Sequence, residues 1–185
     1  MDIVSRVKGI LTNPRQEWAV IDDEPFDTAK LITGYVIPLA AIGPLASAIG
    51  LTLFGFGGFL RMSLGYAIAY AVTMFILSIV GVFVTAWVVN ALAPSFGATQ
   101  SMPQATKVAA YSMTAAWVAG IFNLIPALVI IVVIGALYSL YLLYLGLPLL
   151  MKTGTDKAMP YTVVIVLVTI VVYIAAGAIS RAVAF

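Results

Sequence analysis

The sequence has no cysteine and no histidine in its 185 residues. That removes disulfides, thiol redox chemistry and the usual zinc and haem ligands in one step. It also strips nucleophilic catalysis of its commonest base, so that a serine or threonine would have to rely on a lysine or carboxylate. Charge is scarce too. Only 9% of residues are Asp, Glu, Lys or Arg, against about a quarter in an ordinary soluble domain. Nine basic and seven acidic side chains leave a net charge of +2, too little for the basic stripe a nucleic-acid partner needs. No charge falls in the middle of a long apolar stretch, where proton-coupled carriers and pumps keep one. The chain is therefore read as a non-enzyme with no catalytic, cofactor or metal residues.

What the sequence does contain is apolar length. Apolar residues make up 63% of it, and the mean hydropathy is +1.14. Charged side chains are absent from Lys30 to Arg61, Arg61 to Lys107, Lys107 to Lys152 and Lys157 to Arg181. A bilayer's hydrocarbon takes roughly 20 apolar residues to cross as a helix, and each gap is long enough. The expected fold is all-α and polytopic. Residues 1-30 form an amphipathic interfacial segment and 31-185 a bundle with spans at about 31-54, 62-92, 103-124, 127-150 and 161-180. The odd count rests on the stretch from Val108 to Met151. As one helix it would run about 66 Å, twice the hydrocarbon thickness. Asn123-Leu124-Ile125-Pro126 supplies turn residues near its middle, so it is divided there.

The first thirty residues carry six carboxylates, lack a continuous apolar run and do not resemble a cleaved signal; they are expected to be retained. Ile3, Val7, Ile10 and Leu11 share a helical face flanked by Arg6 and Lys8, suited to the lipid interface. Asn13-Pro14 with Gln16 predicts a second helix start with a capping box, and that helix carries Trp18 and Ile21 on its apolar side. These six apolar residues are the candidate partner or lipid interface. Asp22, Asp23, Glu24 and Asp27 lack the alternation and glycine of a calcium loop and are read as a solvated, helix-capping linker. Glycine-rich 55-58 is read as a turn.

Basic residues orient the bundle. With the amino terminus inside, Arg6, Lys8, Arg15, Lys30, Lys107, Lys152 and Lys157 lie in the cytoplasm and only Arg61 and Arg181 outside. Seven against two obeys the positive-inside rule, and the carboxyl terminus then faces outward. Within the spans, Pro38 and Pro44 predict a kinked or broken first helix, and Tyr138, Tyr141 and Tyr144 recur at three-residue spacing. Both features are candidate pore-lining or helix-breaking positions. Small residues four apart predict a compact bundle: Gly43 with Ser47, Ala46 with Gly50, Ala116 with Gly120, Gly135 with Ser139, and Ala176 with Ser180.

The order of several segments is similar to that of a known family. Asn13-Pro14-Arg15-Gln16-Glu17-Trp18, then Ile21 and Glu24, then Tyr35-Val36-Ile37-Pro38-Leu39 resembles the amino-terminal signature of bacterial members of the Yip family (Ypt/Rab-interacting proteins). The run from Leu137 to Pro148, followed by Met151-Lys152, Asp156-Lys157-Ala158 and Tyr161-Thr162, resembles its later segment. The resemblance implies five spans, a cytoplasmic amino terminus and residence in a bacterial cytoplasmic (inner) membrane. Eukaryotic members bind Rab-type GTPases through a cytoplasmic amino-terminal region. Here that region is short, and Ile42-Gly43-Pro44-Leu45 keeps only part of their Leu-Tyr-Gly-Pro type motif. Two functions fit these features: a scaffold that organises lipid or a protein partner, and an oligomeric channel for ions or small neutral solutes. The partners expected are the bilayer, a second protein or copies of the chain, and no nucleic acid.

Overall fold

A computed structural model describes residues 2–55 and 63–184, with side chains placed as far as 175. The described residues are helical and contain no strand. Phe56, Gly57, Gly58, Arg61 and Met62, which figure in the predicted turn, charge bias and second span, lie outside them. So do the side chains of Ala176, Ser180 and Arg181.

Two short helices come first, α1 (Ile3–Thr12) and α2 (Pro14–Asp23). The Asp2 carboxylate caps α1 by accepting from the Ser5 N–H at 3.3 Å. Asn13 serves two helices at once: its own N–H donates to the Gly9 carbonyl at 2.8 Å and ends α1. Its side-chain amide donates to Gln16 Oε1 at 2.5 Å and makes no bond to the backbone of α2. The predicted capping box does not form, although Pro14 does take the first helical position.

The next helix, α3 (Thr28–Leu53), begins at Asp27, whose carboxylate accepts from the Lys30 N–H at 3.0 Å. It is built in segments. A π-turn at Ile32–Val36 sends the Ile37 N–H back to the Ile32 carbonyl, and the helix is interrupted again at Ala41. Pro38 is second in the segment Ile37–Ala40 and Pro44 third in Ile42–Leu53. Each lies in a first turn, where a missing N–H costs least. The predicted kink is therefore two offsets, one before each proline.

Helix α4 (Leu64–Leu92) follows, continued by a tight turn to Phe96 and closed by Gly97 at φ +66°. Helices α5 (Met102–Ser112) and α6 (Thr114–Ala119) lead into a 3-10 stretch at Gly120–Leu124. After an extended Ile125 come α7 (Val129–Leu150) and α8 (Thr155–Ala184). Helix α8 begins at Thr155, ahead of the span predicted at 161-180, and so takes in Pro160. The missing N–H of Pro160 deprives the carbonyl of exposed Asp156 of its usual donor.

Among the described residues, four stretches are long and apolar enough to cross a membrane: Thr28–Leu53, Leu64–Phe96, Pro126–Leu150 and Thr155–Ala175. The predicted span at 103-124 is not a single long apolar helix. It is interrupted at Met113 and tightens from Gly120 onward. The cause is local: the Ser112 hydroxyl donates to the Ala109 carbonyl and the Thr114 hydroxyl to Tyr111, competing with the helical ladder. Ser139 of α7 repairs the break by accepting from the Ala116 N–H at 2.9 Å.

The small residues are used within the chain. Gly43 of α3 faces Gly120 backbone to backbone, Gly50 abuts the carbonyls of Asn123 and Leu124, and Gly135 abuts Ala115 and Ala119. Outward faces are apolar: Ile130, Ile134 and Leu137 on α7, and Leu167, Val171 and Ile174 on α8, are all exposed at i, i+4, i+7 spacing. Exposed rows of this kind suit lipid and not water.

Candidate functional site

Helices α1 and α2 do not lie free. Ile10, Trp18 and Ile21 have no exposed surface and join one core with Val108 of α5, Leu142 and Leu147 of α7 and Tyr161 of α8. Ile3, Val7 and Leu11 are half-buried beside them. The apolar face read as a lipid or partner surface is covered by the chain's own helices, and the large apolar side chains of α1 and α2 that stay exposed are Val4 and Val20. Trp18 seats its six-membered ring on Gly146 of α7, where an added Cβ would come within 2.8 Å of Cζ2. Its ring meets Tyr111 edge-on at 6.3 Å. Tyr138 donates its hydroxyl to the Leu11 carbonyl at 2.9 Å, tying α1 to α7.

Charge completes the attachment. Arg6 of α1 is 3% exposed, and its Nη1 donates to Glu17 Oε1 of α2 at 2.6 Å while Nη2 pairs with Glu24. Its guanidinium also lies over the Tyr111 ring at 5.4 Å. From α5, buried Lys107 directs its ammonium at the end of α2. It donates to the carbonyls of Ile21 at 2.8 Å, Glu24 at 2.5 Å and Asp22 at 3.5 Å. The last carbonyls of a helix lack internal donors and carry the negative end of its dipole, so a cation is well placed there. Gln104 donates to Asp22 at 3.0 Å, and Lys152, just beyond α7, pairs with the same carboxylate. The acidic run is thus mostly occupied: Asp22 and Glu24 hold the first two helices to the bundle and Asp27 caps α3. The expected solvated linker survives in part: Asp23 and Asp27 are exposed, and Asp27 keeps its capping role. Among the described residues, no three acidic side chains converge into a group fit for a metal ion.

Under this cap lies an open cleft of about 280 Å³. Arg6, Lys30 and Lys107 bring positive charge to it, Glu24 and Asp27 negative. Tyr35, Tyr111, Phe26, Leu31 and Ile3 add apolar surface, and Gly34 of the π-turn bares its backbone. Tyr35 and Tyr111 contact edge-on at 4.7 Å, and the Tyr35 hydroxyl shares a hydrogen bond of 2.7 Å with Thr114.

The residues singled out as helix breaks or pore lining are dispersed, and none of them lines the cleft. Pro38 is exposed, and Pro44 is half-buried. Tyr138 and Tyr141 have ring centroids 5.6 Å apart, but Tyr141 faces outward and Tyr138 is committed to α1. Tyr144 is half-buried.

Comparison with known proteins places this architecture. The model of the Yip1 domain matches residues 8–177, from α1 well into α8. The chain belongs to the Yip1 domain family. This Yip1-domain protein is similar to the Inner membrane protein YohC of Escherichia coli strain K12, 26% identical over 166 residues that cover 86% of this chain and 85% of YohC. YohC of Escherichia coli O6:H1 strain CFT073 matches to the same extent. No solved structure gives a significant match. The resemblance in the motif around Asn13 to Trp18 and in α7 is thereby accounted for, and the protein is a membrane protein with several transmembrane helices.

Sequence reading missed Arg6, Glu17, Glu24, Lys107 and Lys152 as a set. Four of their bonds, three from Lys107 and one from Lys152, span more than eighty residues. The one local signal is Arg6 and Glu17, opposite charges on either side of the Asn13-Pro14 turn.

Proposed function

We propose that this Yip1-domain protein is a non-enzymatic membrane scaffold, in which a five-crossing bundle holds α1 and α2 as a rigid platform for a protein partner at the cytoplasmic face of the inner membrane. The observation that carries the reading is the docking of those helices through Trp18, Arg6 and Lys107. Their charged groups are used to fix the platform, while Val4, Lys8, Arg15, Gln16 and Val20 stay exposed on its outer side. No histidine or cysteine is present to suggest chemistry instead.

Five crossings, with 102–124 as a broken one, are supported by which parts meet. An odd number puts α1, α2, the 93–101 loop and the 151–154 turn on one side. In keeping with that, the Thr99 N–H donates to the Met151 carbonyl at 2.8 Å, and Asp22 pairs with Lys152. The lysine and arginine bias supports a cytoplasmic amino terminus.

Photo-crosslinking from Arg15 and Val20 in living cells tests the platform, with lipid-facing Ile134 and Leu137 as controls. A protein adduct specific to Arg15 and Val20, lost in Trp18→Ala, is expected. A Val4→Glu, Arg15→Glu, Val20→Glu variant that inserts normally should lose the adduct and fail to complement a deletion strain. Full complementation by that variant, with no adduct at either site in the unaltered chain, would end the scaffold reading.

A further inference from the structure

We propose that the cleft beside the start of α3 is a headgroup site for a phospholipid, its phosphodiester held by Lys30 and by the free N–H groups of Arg6. The proposal stands apart from the scaffold reading, since it rests on the cleft and is measured on the purified chain without a partner.

The distribution of partners in the cleft points to an anion. Glu24 is already engaged by Arg6, and the Asp27 carboxylate caps the Lys30 N–H. The exposed Lys30 ammonium, by contrast, has no carboxylate partner among the described residues. Arg6 carries five N–H donors, of which two are used, on Glu17 and Glu24. Lys107 spends its donors on the end of α2, yet its charge adds to the positive potential of the wall. A phosphodiester bears one negative charge and several acceptor oxygens, which suits planar guanidinium and ammonium donors together.

Depth and lining point to a lipid in preference to a free ion. The cleft opens beside the first turns of α3, where the apolar run of the first span begins. For a helix that crosses the hydrocarbon, that is headgroup level. Ile3, Phe26 and Leu31 offer apolar surface next to the charges, as the glycerol and first acyl carbons require. At Gly34 an added Cβ would meet nothing within 4 Å, so the helix wall is bare where a ligand would lie against it.

The test uses the full chain purified in detergent, thermal unfolding and native mass spectrometry. The probes are dihexanoyl phosphatidylglycerol, dihexanoyl phosphatidylethanolamine, dihexanoylglycerol and inorganic phosphate. Both phospholipids should raise the unfolding midpoint in a concentration-dependent way and remain bound in the gas phase, because a ligand selective for the folded state stabilises it. Lys30→Ala should weaken binding roughly tenfold to a hundredfold, the worth of a charge-assisted hydrogen bond, without moving the unliganded midpoint. Lys30→Arg should keep most of the affinity, and Gly34→Leu should block the site. Four results would overturn the proposal: no shift with either phospholipid, an equal shift with dihexanoylglycerol, a full shift with inorganic phosphate alone, or unchanged binding in Lys30→Ala. Should Gly34→Leu unfold the chain, the exposed Lys30 variants decide the matter alone.

Discussion

The two ends of the bundle are held together by different means. At the end that carries α1 and α2, large side chains and ions do the work: Trp18 on Gly146, Arg6 between Glu17 and Glu24, and Lys107 on the carbonyls of α2. At the opposite end, where α3 meets the Gly120–Leu124 turn, the described contacts are between backbones. Gly43 lies on Gly120, and Gly50 lies on the carbonyls of Asn123 and Leu124. The contrast follows from solvent. Helices gain little from burying apolar surface when the alternative is lipid, so they associate by close backbone approach at small residues. Near water, an apolar side chain gains from burial, and an ion can be matched by partners before it is buried.

The contrast can be broken from either side. The largest effects are expected at the capped end. Trp18→Ala opens a cavity over Gly146 and should cost about 3–5 kcal/mol, with faster tryptic cleavage at Lys8 and Arg15 as the cap detaches. Glu17→Ala leaves Arg6, whose side chain is 4% exposed, short of a buried partner and should cost a similar amount, about 3–5 kcal/mol, largely unaffected by salt. Reversible unfolding in detergent at low and high ionic strength measures both. Next comes the glycine end. A Cβ at Gly50 would sit 2.5 Å from the Asn123 carbonyl oxygen, so Gly50→Ala should cost about 1–3 kcal/mol and leave tryptic cleavage of the cap unchanged. If Gly50→Ala released the cap, the two ends would not be separate devices. The smallest effect belongs to Lys152→Ala. That side chain is 56% exposed, and its pair with Asp22 should contribute at most about 1 kcal/mol, lost when salt is raised.

The long apolar runs made the helices legible, because a charge-free gap between lysines or arginines has few structural readings. The turn at Asn123 to Pro126 was legible for a similar reason: one helix of that length fits no bilayer. The interruption at Met113 was not, since it depends on hydroxyls of Ser112 and Thr114 choosing carbonyls one turn back, and its repair depends on Ser139 arriving from another helix. The amphipathic faces of α1 and α2 were visible, but periodicity alone cannot say whether such a face meets lipid or protein. Gly146 decides that here, as a seat for Trp18, and nothing in its own neighbourhood in the sequence marks it. Charge counting places Lys107 with the cytoplasmic basic residues at the start of the span 103-124 and is blind to its burial. Its role appears only once the end of α2 is placed over it.

Sidedness tests the account most directly, and a chain without native cysteine suits the measurement. Single cysteines at Val20, Ile21, Ile125 and Lys152 would be exposed to a membrane-impermeant maleimide in intact spheroplasts and in inverted vesicles. In a five-crossing bundle with its amino terminus inside, positions 20 and 152 label only in inverted vesicles and position 125 only in spheroplasts. Position 21, having no exposed surface, should stay protected until Trp18→Ala frees the cap. Labelling of position 125 from the same side as position 152, or of position 21 as fast as position 20, would contradict the docked cap on a five-crossing bundle.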